Sequence, residues 1–113
     1  MAAVICGSLA FDTIMTFEGK FASQILPEQL HILNVSFLVP SLRRDFGGCA
    51  GNIAYSLQLL GGKPLPMAML GSDGADYLSR LKELGISTAH VGQAHDTYTA
   101  QAMIMTDRDN NQI

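Results

Sequence analysis

Two adjacent glycines, Gly47-Gly48, stand between a segment rich in β-branched and aromatic residues and an uninterrupted helical run that closes at Gly61-Gly62. Such a pair lets the backbone turn from strand to helix through a positive φ and come closer to a ligand than any Cβ allows. Downstream of it the apolar pattern alternates between strand and helix. Ile53, Leu57 and Leu60 fall at i, i+4 and i+7, with Ala54 beside them, so a helix over residues 49–60 packed on a sheet is predicted. Residues 64–70 are again almost wholly apolar, and Gly71-Ser72-Asp73-Gly74 leads into a second helix carrying Tyr77, Leu78, Leu81 and Leu84 on one face and stopping at Gly85. Residues 86–92 are short and ambiguous. Upstream, residues 2–7 read as a strand buried on both faces, as in a parallel sheet. Strand, helix, strand, helix, strand is the order of a doubly wound α/β sheet.

Three further segments read as strands of a smaller, partly exposed sheet: residues 13–18, residues 34–46 with Pro40 inside, and residues 97–113, whose 97–106 part alternates between Thr99, Gln101, Met103 and Met105 on one face and Tyr98, Ala100, Ala102 and Ile104 on the other. The chain closes on a turn-like Asp107-Arg108-Asp109-Asn110, where a returning strand is expected to begin.

With 113 residues and 48% apolar residues the chain is long enough for one packed core. A net charge of −3, with Arg43-Arg44 the densest basic stretch, argues against a nucleic-acid footprint and for a small neutral or anionic ligand. No apolar run reaches membrane-spanning length and no basic leader precedes one, so a cytoplasmic protein is expected. Cys6 and Cys49 lack the paired spacing of a zinc site and are expected to be reduced and mostly buried; His90, His95 and Asp96 form a polar loop without metal-ligand spacing, so no metal ligands are assigned. Neither a G-x-G-x-x-G opening after the first strand nor a G-x-x-x-x-G-K-[ST] loop is present.

The candidate chemistry is recognition of a polyol. Asp12 is expected just beyond the C-terminal end of the first strand, where ligands of open α/β sheets collect and where a carboxylate can accept from two vicinal hydroxyls; an N-cap or turn aspartate is the alternative. Asn52, near the first turn of the helix, adds an amide with two donors and an acceptor. Phe37 and Phe17 are the aromatics that could cover the face of a ligand, Phe37 being preferred, although packing is the commoner role for an aromatic on such a strand.

Gly48-x-x-Gly51-Asn52-x-Ala54, with glycines again at Gly61 and Gly71, resembles the N-terminal signature of the ribokinase-like (PfkB) carbohydrate kinase family, and Val4 to Asp12 resembles its first strand with a substrate-binding aspartate. The stretch from His31 to Pro40, followed by Arg43-Arg44-Asp45-Phe46-Gly47-Gly48, is similar more narrowly to adenosine-kinase-like members. The resemblance implies that residues 1–113 are the N-terminal part of a doubly wound, Rossmann-like ribokinase fold with a small β-sheet lid over the substrate. It makes Asp12, Gly48 and Asn52, beside Gly47, the ribose contacts, and places Ser8, Ala10 and Cys49 where a nucleoside is held.

It implies ATP and Mg²⁺ as cofactors, bound mainly outside this segment, and transfer of a phosphoryl group to a primary hydroxyl of a nucleoside or sugar. The family's catalytic base lies in a G-A-G-D motif that does not occur here, so this segment is expected to hold the acceptor and to be inactive alone. Monomers and lid-mediated dimers both occur in the family. A non-catalytic nucleoside- or sugar-binding module, or a fragment complementing a partner chain, is the alternative function.

Overall fold

A computed structural model describes residues 1–113. The elements in order are β1 (Ala2–Cys6), β2 (Ala10–Thr16), α1 (Phe21–Gln24), a 3₁₀ turn at Pro27–Gln29, β3 (Ser41–Gly47), α2 (Cys49–Leu59), β4 (Lys63–Leu70), α3 (Ala75–Glu83), β5 (Val91–Gln93) and β6 (Ala100–Thr106). The chain divides into two compact units, one made of residues 1–11 and 46–102 and the other of residues 12–45 and 103–113.

The first unit is built on a parallel sheet in the order β1-β4-β5. β4 is central yet carries Pro64 and Pro66, each without an N–H for a ladder. Their placement removes the conflict. The Ala68 N–H points toward the β5 side, bonding His90 O at 3.3 Å, and Pro64 and Pro66 share its parity along the strand. β5 pairs only with Ala68 to Leu70, so the prolines face that side where no strand lies beside them.

Both helices of this unit end in a left-handed glycine. Gly61 has φ +80 and Gly85 has φ +73. After α2 the Gly61 N–H bonds Gln58 O and the Gly62 N–H bonds Leu57 O; after α3 the Gly85 N–H bonds Lys82 O and the Ile86 N–H bonds Leu81 O. This is the Schellman pattern, which satisfies carbonyls the helix leaves open.

The core of the unit gathers Ile5, Leu9, Phe11, Ala50, Ala54, Leu70, Tyr77, Leu81 and Ile86. Burying each large side chain among them stabilises by about 1.5–3 kcal/mol. The face of α3 matches the predicted stripe, with Tyr77 and Leu81 buried and Leu78 and Leu84 packed against them.

The face of α2 does not match. Ile53 and Leu60 are 53% and 85% exposed, and the buried positions are Ala50, Gly51 and Ala54. The spacing is the predicted one moved back by three residues, to 50, 54 and 57. Small side chains let the helix axis approach β4 and β1 closely, and hydrophobicity alone does not report that geometry. Within residues 1–113 only one face of β1 is covered: Ile5 is buried, while Val4 and Cys6 on the other face are exposed, as are Met67 and Met69 of β4. The expectation of buried thiols therefore fails for both cysteines.

The second sheet has the order β3-β2-β6, and the boundaries between the two units fall inside these three strands. Its strands are shorter than, or displaced from, the expected 13–18, 34–46 and 97–113. β2 starts three residues earlier, β3 begins only after Pro40, whose ring restricts the residue before it and removes a donor, and β6 spans Ala100–Thr106. After the turn at Asp107 the chain does reverse: Met105 and Ile113 exchange backbone bonds of 2.8 and 3.0 Å, and Thr106 bridges Gln112 in antiparallel sense.

Within the second unit Phe17, Phe21 and Phe37 form an aromatic cluster, with ring centroids 5.0 to 5.9 Å apart. Phe21 opens the short helix α1, and its backbone N–H is received by the buried carboxylate of Asp107 at 3.0 Å. The same carboxylate accepts from the backbone of Asp109 and from the backbone and side chain of Asn111 at 2.9 to 3.1 Å. Burial by itself would raise this group's pKa. The donors from Phe21, Asn111 and Asp109 outweigh that and hold it at about 2.

Candidate functional site

The β3–α2 turn is the centre of the candidate site. Gly47 ends β3 and Gly48 precedes the helix with φ +88 and ψ 147, a region of backbone space that glycine alone occupies comfortably. Only Gly48 of the pair takes a positive φ. A Cβ on Gly48 would collide with the carbonyl of Ser8 and crowd the backbone nitrogen of Ala10, so this glycine brings the turn into contact with the segment joining β1 to β2.

Ser8 completes the helix start from a distance of 41 residues in sequence. Its Oγ accepts the Cys49 N–H at 3.1 Å and its carbonyl accepts the Ala50 N–H at 3.0 Å. Two of the donors that an α-helix leaves open at its N-terminus are satisfied in this way, without a side-chain cap from Gly48. The Ser8 hydroxyl also lies 3.6 Å from the Cys49 Sγ. Foremost through that bond, the thiol is held below its usual pKa. Gly7 leaves the room for it, since a Cβ there would sit 2.5 Å from the sulfur.

Asn52 lies one helical turn beyond Gly48, with its N–H bonded to the Gly48 carbonyl at 3.0 Å. Ser8, Cys49 and Asn52 are all exposed around the turn, and Ala10 is half-buried. The first unit therefore brings together Ser8, Ala10, Gly47, Gly48, Cys49 and Asn52. Asp12 and Phe37 belong to the second unit. Asp12 is the third residue of β2 and half-buried, which corrects its expected place just beyond the end of the first strand, ahead of a strand beginning at residue 13. Phe37 packs edge-on against Phe17 and Phe21.

Sequence reasoning missed Tyr77 as part of this region. It was legible only as one member of an apolar stripe, yet its hydroxyl donates to the Gly47 carbonyl at 2.5 Å.

No three or more His, Cys, Asp or Glu side chains lie together in a way that could hold a metal ion. The leading Cys49 and Ala50 amides of α2 are already bonded to Ser8. No helix is long and apolar enough to cross a membrane.

The parallel α/β unit, the glycine turn and the second small sheet lie within a known family: residues 17–113 match the model of the pfkB family carbohydrate kinases, and the chain belongs to that family. It is 34% identical to the nucleoside kinase of Methanocaldococcus jannaschii over its full length, which corresponds to 35% of that protein. Among solved structures, the nucleoside kinase of Burkholderia thailandensis in complex with inosine is 55% identical, with a TM-score of 0.79, over 100% of this chain and 35% of that one. The Methanocaldococcus jannaschii nucleoside kinase structure, an archaeal member of the ribokinase family, is 31% identical with a TM-score of 0.82, over 99% of this chain and 35% of that one. The fold is thus the ribokinase fold, and the chain spans about a third of the length of the relatives it matches.

Proposed function

We propose that this chain forms the acceptor-binding part of an ATP-dependent kinase that phosphorylates a primary hydroxyl of a nucleoside. The observation that carries the reading is the Gly48 turn, seated against the Ser8 carbonyl with the polar side chains of Ser8, Cys49 and Asn52 exposed around it. The backbone can approach a ligand there, and hydroxyl, thiol and amide groups stand ready to meet sugar hydroxyls. The 55% identity to a nucleoside kinase that holds inosine favours a purine nucleoside over a free sugar.

In this reading Asn52 and the Gly47-Gly48 backbone contact the ribose, Asp12 accepts from its vicinal hydroxyls, and Ser8, Ala10 and Cys49 contact the nucleoside. Phe37 serves the lid as an aromatic cover. Phosphoryl transfer depends on positioning and charge stabilisation more than on covalent chemistry, so the part played by these residues is to hold the accepting hydroxyl still. No residue of this chain is assigned as the catalytic base, and ATP with Mg²⁺ is assigned mainly to residues outside it.

The test is nucleoside-dependent ADP formation by the full-length protein, with inosine, adenosine, ribose and fructose compared. The reading expects kcat/KM for a nucleoside to exceed that for either free sugar by at least roughly tenfold, the scale of one or two productive contacts. Higher efficiency with ribose or fructose would reassign the acceptor. Binding of nucleoside without any transfer from ATP would mark a non-catalytic module.

A further inference from the structure

The Gly47-Gly48 turn is held by a residue outside the segments that form it. Tyr77 on α3 is 2% exposed, with its ring centroid 5.6 Å from that of Phe11 and 5.1 Å from that of Phe46. Phenylalanine would fill the same apolar space. What the hydroxyl adds is a hydrogen bond to the carbonyl of Gly47, at the point where β3 ends. A phenol buried this deeply needs a partner, and so does a buried carbonyl at a strand terminus.

Gly51 is the second half of the arrangement. A side chain at this position, in the first turn of α2, would collide with the Tyr77 hydroxyl. Glycine is among the poorest residues for a helix, and here its missing Cβ is the space that the hydroxyl occupies.

The consequence reaches Gly48 through one planar peptide. The Gly47 carbonyl and the Gly48 N–H belong to the same trans unit and point in opposite directions, so a donor that fixes the carbonyl also fixes the N–H. It equally restrains the peptide that enters the φ +88 conformation of Gly48.

We propose that Tyr77 is a positioning residue for acceptor binding, orienting the Gly47-Gly48 peptide through its hydroxyl in space that Gly51 leaves open. The proposal rests on the nucleoside-acceptor reading of the turn. It assigns a role in substrate affinity to a buried side chain of α3.

The experiment uses the full-length protein and its Tyr77→Phe, Gly51→Ala and doubly substituted forms. Inosine affinity is measured by titration calorimetry, KM and kcat by ADP formation, and integrity by thermal melting. Tyr77→Phe keeps the ring and removes the hydrogen bond, and is expected to raise Kd and KM for inosine together by roughly five- to twentyfold while kcat stays within about twofold. Gly51→Ala is expected to do the same by displacing the hydroxyl. The two should be non-additive, because the added methyl meets less obstruction once the hydroxyl is gone. Should Tyr77→Phe fail to fold, Gly51→Ala reads the same relationship. A lowered melting temperature with unchanged Kd and KM in Tyr77→Phe, or in Gly51→Ala where that variant stands in, makes the hydroxyl a purely structural group and overturns the proposal alone. Failure of the unsubstituted protein to bind any nucleoside overturns the acceptor reading and the proposal with it.

Discussion

The Ser8 hydroxyl accepts the backbone N–H of Cys49 at 3.1 Å and lies 3.6 Å from the Cys49 sulfur, so one side chain both caps α2 and lowers the pKa of the thiol at its first residue. A lowered pKa means a larger thiolate fraction at neutral pH, and the thiolate is the reacting species. Ser8→Ala is expected to slow alkylation of Cys49 by iodoacetamide at pH 7 by roughly threefold or more. Saturating inosine should slow labelling of the unsubstituted protein, because Cys49 is assigned to the acceptor site. The check is mass-spectrometric labelling kinetics; an unchanged rate in Ser8→Ala removes Ser8 as the cause, and absence of protection removes Cys49 from the site.

Gly48→Ala places a Cβ against the Ser8 carbonyl in a backbone conformation that only glycine adopts readily. The combined strain and overlap should destabilise the protein by about 3 kcal/mol, or force the turn to reshape. Chemical denaturation measures the loss. A change below about 0.5 kcal/mol with intact inosine binding would show that the turn tolerates other geometries.

Asp12→Ala and Asn52→Ala are each expected to weaken inosine binding by roughly 1.5–3 kcal/mol, the range for removing hydrogen bonds to a buried or charged partner. Both residues are exposed or half-buried, so melting temperatures should move little. Titration calorimetry decides the matter residue by residue. An affinity unchanged in one variant excludes that residue from the ribose contacts.

Asp107 makes stability depend on acid pH. Its folded pKa of about 2 lies below the usual carboxylate value of 3.8, so the group's contribution is complete above the unfolded value and is lost as pH falls from about 4 toward 2. Asp107→Asn should remove that part of the pH dependence. It should also lower the melting temperature at pH 7 by on the order of 5 °C, through loss of charged acceptor bonds to Phe21, Asp109 and Asn111. Circular dichroism melts from pH 2 to 7 give the comparison, and parallel curves for the two proteins would show that Asp107 carries no acid-sensitive stability.

Where local chemistry decides the backbone, the chain could be read directly. Gly48, Gly61 and Gly85 all adopt positive φ, at the turn and at the two helix ends where glycine was expected to act, because the cost of a Cβ in that conformation is set within a few residues. The stripe of α3 was equally legible, since Tyr77, Leu78, Leu81 and Leu84 stand alone as large apolar side chains on a polar helix. The class of sheet and the glycine turn followed from the same signals.

Which surface is buried, and what touches what, was decided by neighbours far away in sequence. The apolar run of α2 offers two faces with the same spacing, and the choice of Ala50 and Ala54 over Ile53 and Leu60 depends on how closely β4 and β1 approach. Cys6 and Cys49 are exposed because one lies on an uncovered sheet face and the other at a helix start beside Ser8. Periodicity records that a residue can be buried, while close packing selects which one is, and a hydrogen bond between Tyr77 and Gly47, 30 residues apart, exists only once both elements have docked. The sequence by itself determined the order of the main strands and of the helices α2 and α3, their glycine ends and the family; the tertiary structure alone decided the buried face of α2, the place of Asp12 on β2 and the hold of Tyr77 on the turn.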